Sequence, residues 1–330
     1  MKILILYNLA TIVKKGDAKD LACEQEITII VPVIADILRT NGHHVETIQA
    51  SLDLWNELTR RKGTFDLVFN LAEGFGGANS NELFVPAMLE ALEIPFTGPP
   101  FRTYVLAYDK GKANRLLSTF GVPIPKRMML YPKQVRKKVD LRFPVIVKPV
   151  HEDASLGINY DSVVEDENTV YMRAEKVFEL YRQPALVEEF VDGREISVGC
   201  LGNRPNIEVF PAVEFTFDKS VPILRRIRSY EYKWGGGTEA MEKAKLDPEI
   251  VTKLEGYTRT AFMELDCRDY ARVDYRLTSK GEIFLLEVNC NPGIGPNTHG
   301  LNNTLTMMAT FNGYSFESFI MRILEIACAR

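Results

Sequence analysis

Two kinds of patterning meet in this chain, and their order constrains the fold more than any single motif. Up to about residue 100, short apolar runs alternate with helix-period stretches; beyond Gly193, strand-like segments follow one another. Ile3 to Tyr7 is a continuous apolar run, the mark of a strand buried on both faces. Glu24 to Arg39 reads as a helix, with apolar residues at 27, 30, 31, 34, 37 and 38 and a stop at Asn41-Gly42. Val45 to Ile48 and Asp66 to Asn70 read as further strands, with helices at Leu52 to Lys62 and Glu82 to Leu92. Short strands separated by helices require a parallel sheet with crossover helices. Pro95, Pro99 and Pro100 close this unit.

The middle of the chain predicts a helix from Asp109 to Phe120, a strand from Phe143 to Pro149, a helix from Thr169 to Tyr181 and a strand from Ala185 to Phe190. The last part predicts strands at Glu195 to Leu201, Ile207 to Phe215, Tyr270 to Leu277 and Glu282 to Val288. A glycine-rich loop follows Trp234, with helices at Pro248 to Leu265 and Ser315 to Ala329. At roughly 150 residues per domain, 330 residues make two domains or three small ones.

Charge and cysteine usage narrow the function classes. With 40 Lys and Arg against 44 Asp and Glu the net charge is −4, which argues against broad nucleic-acid binding. None of the five cysteines has C-x-x-C spacing, so reduced thiols in the cytosol are expected. The opening MKILILYNLA lacks a signal-peptide pattern, and the apolar region Ile27 to Leu38 is broken by Pro32 and Asp36, so no membrane span is expected.

The strongest chemical constellation is RVDYRLTSKGEIFLLEVNCNPG, residues 272 to 293. Two strands flank a turn and should form an antiparallel hairpin. Glu287 and Asn289 share one strand face, and Asp274 lies on the partner strand. The three are either a solvated polar edge or an oxygen-only site suited to Mg²⁺ and nucleotide phosphates. Lys148 ends an apolar strand, where it is a solvent-reaching chain end or a phosphate ligand; the small-residue loop Asp153 to Gly157 after it offers backbone N–H groups to anions. Glu188, Glu189 and Glu195 cluster around the Asp192-Gly193 turn, as solvated edges or as partners for a nucleotide's amine and hydroxyls. Neither the Walker spacing nor a G-x-G-x-x-G after the first strand is present.

Taken in order, these segments resemble the D-alanine–D-alanine ligase family of ATP-grasp enzymes over nearly the whole chain: CEQEIT at 23, NLAEGFGGANSNELFVPAMLEALEIPFTG at 70, YDKGKA at 108, VKPVHEDASLG at 147, VEEFVDGRE at 187, then ARVDYRL and LLEVNCNPG. The resemblance implies an α/β (α+β) three-lobed ATP-grasp fold. Its lobes would be a parallel α/β substrate lobe at 1–100, a lid lobe at 101–190 and a lobe with metal and catalytic residues at 191–330. It implies ATP and Mg²⁺, commonly two ions, with Mn²⁺ as a substitute. Lys110 and Lys148 resemble the phosphate lysines, Ser155 and Gly157 the phosphate loop, and Glu188, Glu189, Phe190 and Val191 the adenine pocket. Glu195 resembles the ribose ligand, and Asp274, Glu287 and Asn289 the metal ligands. Arg272 and the Gly293 N–H resemble the oxyanion donors, Glu24 the ligand of the first substrate's ammonium, and Lys233 part of the loop over the γ-phosphate.

The nucleotide and metal positions match the family, whereas the substrate positions depart from it. Ala154 stands where a serine is usual, Trp234 where the loop has tyrosine, and Glu73 near the usual His-Gly, with Glu82 close by. IGPNTHGLNN follows Gly293 in place of a short serine-leucine pair, which makes Asn297 and Thr298 substrate candidates. The implied activity is a cytoplasmic carboxylate–amine ligase acting through an acylphosphate, joining two amino acids with D-alanine the leading substrate and cell-wall biogenesis the implied setting. The partners would be small-molecule amino acids, with a homodimer expected by resemblance. A ligase for another carboxylate and amine, or a non-catalytic ATP-binding regulator, are the competing readings; retention of all three metal positions speaks against the regulator.

Overall fold

A parallel sheet opens the molecule: β1 (Lys2–Tyr7), β2 (His44–Gln49) and β3 (Leu67–Leu71) lie in the order β2-β1-β3. The computed structural model describes residues 1–17, 25–76, 81–234, 240–298 and 301–330. Alternation along β1 splits the packing. Ile3 and Ile5 join one core with α1 (Ile27–Thr40), while Leu4 and Leu6 join another with α2 (Leu54–Arg61) and α3 (Phe84–Ala91). Both faces being covered is why β1 reads as one unbroken apolar run.

Two helices follow, α4 (Phe101–Ala107) and α5 (Lys110–Thr119). Tyr104, Ala107, Ala113 and Leu117 enter the core of the C-terminal sheet described below. The chain then builds an antiparallel four-stranded sheet from β4 (Arg127–Leu130), β5 (Val145–Pro149), β6 (Val163–Val164) and β7 (Ala185–Glu189), ordered β4-β7-β5-β6, with α6 (Glu167–Tyr181) against it. Val145, Val147 and Val187 pack under α6. The residues between them, Ile146, Lys148 and Glu188, therefore face the other way.

The C-terminal sheet contains β8 (Arg194–Asn203), β9 (Asn206–Val209), β10 (Val213–Thr216), β11 (Ala240–Lys243), β12 (Asp269–Leu277) and β13 (Ile283–Asn289). Its order is β11-β10-β8-β12-β13, with β9 pairing β8. The single strand expected at Ile207 to Phe215 is two, because Pro211 carries no N–H for the ladder and the chain bends between β9 and β10. The helices of this part are α7 (Tyr230–Trp234), α8 (Pro248–Glu264), α9 (Thr304–Phe311) and α10 (Phe316–Cys328). The expectation of an α/β chain with an N-terminal parallel lobe is met. Among the described residues no helix is long and apolar enough to cross a membrane.

Candidate active site

All nine residues of β12 are buried, and they divide by face. Ala271, Val273, Tyr275 and Leu277 enter the core beneath the sheet. Arg272, Asp274 and Arg276 point the other way, into a cavity of about 590 Å³ lined by residues of all three sheet-bearing parts. In the hairpin Arg272 pairs with Asn289 and Asp274 with Glu287, with a register shift between Asp274 and Tyr275. That bulge lets Leu285 stay in the core while Glu287, two residues on, turns to the cavity with Asn289.

The polar face is tightly organised. Arg272 grips Asp274 with Nε to Oδ1 at 2.9 Å and Nη2 to Oδ2 at 2.9 Å. Ser197 Oγ donates to Asp274 Oδ1. Burial opposes ionisation of Asp274, but the guanidiniums of Arg272 and Arg228 and the Ser197 hydroxyl hold it below the usual carboxylate range. Asn289 Oδ1 accepts from the Asn291 N–H at 3.0 Å.

Across the cavity stands the four-stranded sheet. Lys148 Nζ is 2.7 Å from Glu188 Oε2, and Arg127 Nη1 is 3.5 Å from Glu188 Oε1. Neither Glu188 oxygen receives a well-aligned hydrogen bond. Glu189 accepts from the Arg142 N–H at 2.9 Å, and Phe190 and Val191 continue the wall. Glu195 accepts from Arg276 at 2.7 Å and from the Arg228 N–H at 3.3 Å. Burial raises its carboxyl, and the two arginines partly offset this.

The loop after β5 is shaped by left-handed backbone at Ala154, Ser155 and Gly157. Only glycine fits the last of these, since a Cβ there would come within 2.4 Å of Pro149. Ser155 lines the cavity and donates to the Arg228 carbonyl at 2.6 Å. Lys110 stands just behind the wall. It ion-pairs with Asp153 at 2.9 Å and with Glu287 at 3.4 Å, and donates to the Glu152 carbonyl. Burial disfavours its charge, but those carboxylates overcome this and raise it.

At the remaining end Glu73, Glu82, Lys233 and Gly293 line the cavity. Glu73 is exposed to solvent within the cavity, yet the protein around it displaces enough bulk water to raise it to about 7, with Lys233 opposing and Glu26 and Asp153 adding to it. Burial, then Glu73, raise Glu82 to about 8, against a hydrogen bond from Asn291.

The structure thus gathers on this wall Arg272, Asp274, Glu287, Asn289, Lys148, Ser155, Glu188 to Val191, Glu195, Lys233, Glu73 and Gly293. Gly157 supports the loop from behind. Asn297 and Thr298 do not reach the wall. The Asn297 side chain instead accepts from the Asn303 N–H at 2.6 Å, at the N-terminus of α9, and Thr298 is exposed. Glu24 lies outside the described residues. Among the wall residues that sequence reasoning missed are Arg228, Arg276, Asn303 and Thr304. Arg276 was within reach of the two-residue alternation that picks out Arg272 and Asp274. Arg228 lies outside any helix or strand and offered no periodic signal.

The donor chemistry fits a hard cation. Asp274, Glu287 and Asn289 supply only oxygen, from one face of one hairpin. Among the described residues no group of three or more His, Cys, Asp or Glu side chains forms a cage, so a cation here would draw its other ligands from phosphate or water.

Residues 116–325 match the family model described as D-ala D-ala ligase C-terminus, which is more than half of the chain. The chain belongs to the D-alanine–D-alanine ligase family, within the ATP-grasp superfamily. One relative is the uncharacterized protein y4sG of Sinorhizobium fredii, 37% identical over 270 residues, covering 81% of this chain and 76% of that protein. Another is the D-alanine–D-alanine ligase of Cupriavidus metallidurans, 30% identical over 313 residues, covering 93% and 89%. The fold matches the D-alanine–D-alanine ligase of Bacillus anthracis complexed with ATP, with a TM-score of 0.77 at 19% identity over 100% of this chain and 98% of that one. It also matches the VanG D-Ala:D-Ser ligase of Enterococcus faecalis, with a TM-score of 0.73 at 20% identity over 99% of both. The hairpin carrying Arg272 to Asn289 lies inside the family match.

Proposed function

We propose that this protein is an ATP-dependent carboxylate–amine ligase that joins two amino acids, with release of ADP and phosphate. The observation that carries the reading is the convergence of two groups on one cavity. Lys148, Glu188 and Glu195 face the Arg272–Asp274–Glu287–Asn289 surface across about 590 Å³. In this reading Glu188, whose buried oxygens lack aligned donors, takes the amine of the base, and Glu195 takes the ribose hydroxyls. Lys148, with Lys110 behind it, neutralises phosphate charge, and the loop through Ser155 and Gly157 covers the phosphates. Asp274, Glu287 and Asn289 would hold Mg²⁺, which when bound neutralises charge on the transferring phosphoryl group.

The substrate carboxylate attacks the γ-phosphorus, giving an acylphosphate and ADP. An amine then attacks the activated carbonyl and phosphate departs. Arg272 and the Gly293 N–H stabilise the oxyanion of that second step. Lys233 closes the cavity from α7, which keeps water from the acylphosphate. No enzyme nucleophile is required.

D-Alanine is the leading substrate by kinship with the named relatives. Glu73 and Glu82 at the substrate end also favour a second reading within the same chemistry, in which one partner is a different amine. ADP release measured with a panel of D- and L-amino acids and simple amines, followed by mass analysis of the product, separates the two. Nucleotide binding without ADP release for any pair would remove the ligase reading.

A further inference from the structure

Glu73 comes two residues after β3 ends and opens into the cavity. A Cβ placed on Gly293 would be 3.8 Å from Glu73 Oε1. The carboxylate therefore stands beside the backbone assigned above to the oxyanion, where the new C–N bond would form. Among the described residues nothing donates a hydrogen bond to it, whereas the other carboxylates nearby are engaged. Glu82 accepts from Asn291 at 2.9 Å, Asp153 pairs with Lys110 at 2.9 Å, and Asp274 is gripped by Arg272.

The charged groups facing Glu73 come from every side. Among the described residues, Lys233 on α7 favours its ionised form; Glu26 just ahead of α1, Asp153 of the loop after β5, and Glu82 oppose it, and the Tyr270 hydroxyl is a further titratable neighbour. These carboxylates, set against the Lys233 ammonium, make this a place that accepts protons readily.

We propose that Glu73 is the base that takes a proton from the attacking amine in the second half-reaction. This rests on the ligase reading of the cavity. An amino group arrives as an ammonium, which has no lone pair for attack. Glu73 removes one proton, and the freed nitrogen pair forms the C–N bond with the acyl carbon. The carbonyl electrons move onto oxygen, held by Arg272 and the Gly293 N–H. When they return, the bond between acyl carbon and phosphate oxygen breaks. The nitrogen's second surplus proton leaves with the phosphate as hydrogen phosphate. The products are the amide, hydrogen phosphate and a protonated Glu73 that reloads by exchange with water. With the carboxyl raised to about 7, it is half-ionised near neutral pH, where a general base works best.

The test pairs Glu73→Gln with two nucleophiles. Hydroxylamine is uncharged near neutral pH and needs no base, so it traps the acylphosphate as a hydroxamate without Glu73. With the carboxylate and amine found by the substrate panel, Glu73→Gln should lose amide formation on the order of 10²-fold or more. Hydroxamate formation should stay within about threefold of wild type. In the wild type, kcat/KM for the amine should rise with pH through a limb near 7 that hydroxylamine does not show. That profile needs no variant, so it stands even if Glu73→Gln misfolds. Equal amide formation in Glu73→Gln, a parallel loss of amide and hydroxamate in a folded variant, or the same limb with both nucleophiles overturns the role of Glu73. No ADP release by the wild type with any pair removes the ligase reading itself, which is a different result.

Discussion

Lys148 and Glu188 meet at 2.7 Å with side chains 5% and 1% exposed, so each ion is out of water and depends on the other. Removing one partner strands a buried charge, whereas removing both leaves only Arg127, the second cation on Glu188, to find another partner. Lys148→Met should therefore cost about 3 to 5 kcal/mol in urea unfolding, and Lys148→Met with Glu188→Met should cost less than Glu188→Met alone plus that loss. Additive losses would mean that the two charges do not act as a pair. The raised carboxyls give a second expectation. Glu73 and Glu82 move from 4.5 to about 7 and about 8, so the folded protein holds protons that the unfolded chain has released. Their contribution to stability is fully present below pH 4.5 and is lost as pH rises through about 7 and about 8. Denaturant midpoints measured from pH 5 to 9 should fall less steeply in Glu73→Gln with Glu82→Gln than in wild type. Parallel curves would count against the shifts. Neither raised pKa could be read from sequence, since each comes from the folded surroundings that displace water and from carboxylates brought close by the fold.

Elements differ in how much of them the sequence revealed. Helix α5 was visible because Asp109 is a good N-cap, and its side chain does accept from the Lys112 N–H at 2.9 Å. Strands β5 and β7 were visible because valines alternate with Lys148 and Glu188, which the fold divides between core and cavity. Helix α4 was not, because Phe101 to Ala107 is short and its Tyr104 and Ala107 are fixed by a sheet that begins almost ninety residues later. Residues 8 to 22 carry no motif in the sequence, and the structure supplies a physical role for their described part. Lys15 ion-pairs with Glu152 at 2.7 Å, and the Gly16 N–H donates to the Leu180 carbonyl at 2.8 Å. This strap ties the first lobe to the residue whose carbonyl receives Lys110. Lys15→Met should loosen it, speeding hydrogen exchange at the Gly16 amide on the order of tenfold if the lost pair is worth about 1.4 kcal/mol. Unchanged exchange at Gly16 would show that the backbone bond alone holds the strap.

At the scale of the whole molecule, the site exists only where the three sheets meet. The hairpin of β12 and β13 brings Arg272, Asp274, Glu287 and Asn289, the sheet of β5 and β7 brings Lys148 and Glu188, and the loop after β3 brings Glu73. Motif order along the chain picked out Lys148, Glu188, Arg272, Asp274, Glu287 and Asn289, because short segments set those side chains by alternation. The end proposed for the substrates depends on how irregular chain packs, so that Asn297 and Thr298 stay off the wall while Arg228, Asn303 and Thr304 form it. A ligand spanning these parts should stabilise them together. ATP with Mg²⁺ at a hundredfold excess over Kd adds about 2.7 kcal/mol to the folded state by mass action. For a chain of this size that raises Tm on the order of 5 °C. Lys148→Met should abolish the shift, because its charge faces the phosphates in the proposed arrangement. Glu73→Gln should keep it, because Glu73 stands at the substrate end. An equal loss in both variants would mean that the nucleotide occupies a different part of the cavity, and no shift in wild type would remove ATP from the site.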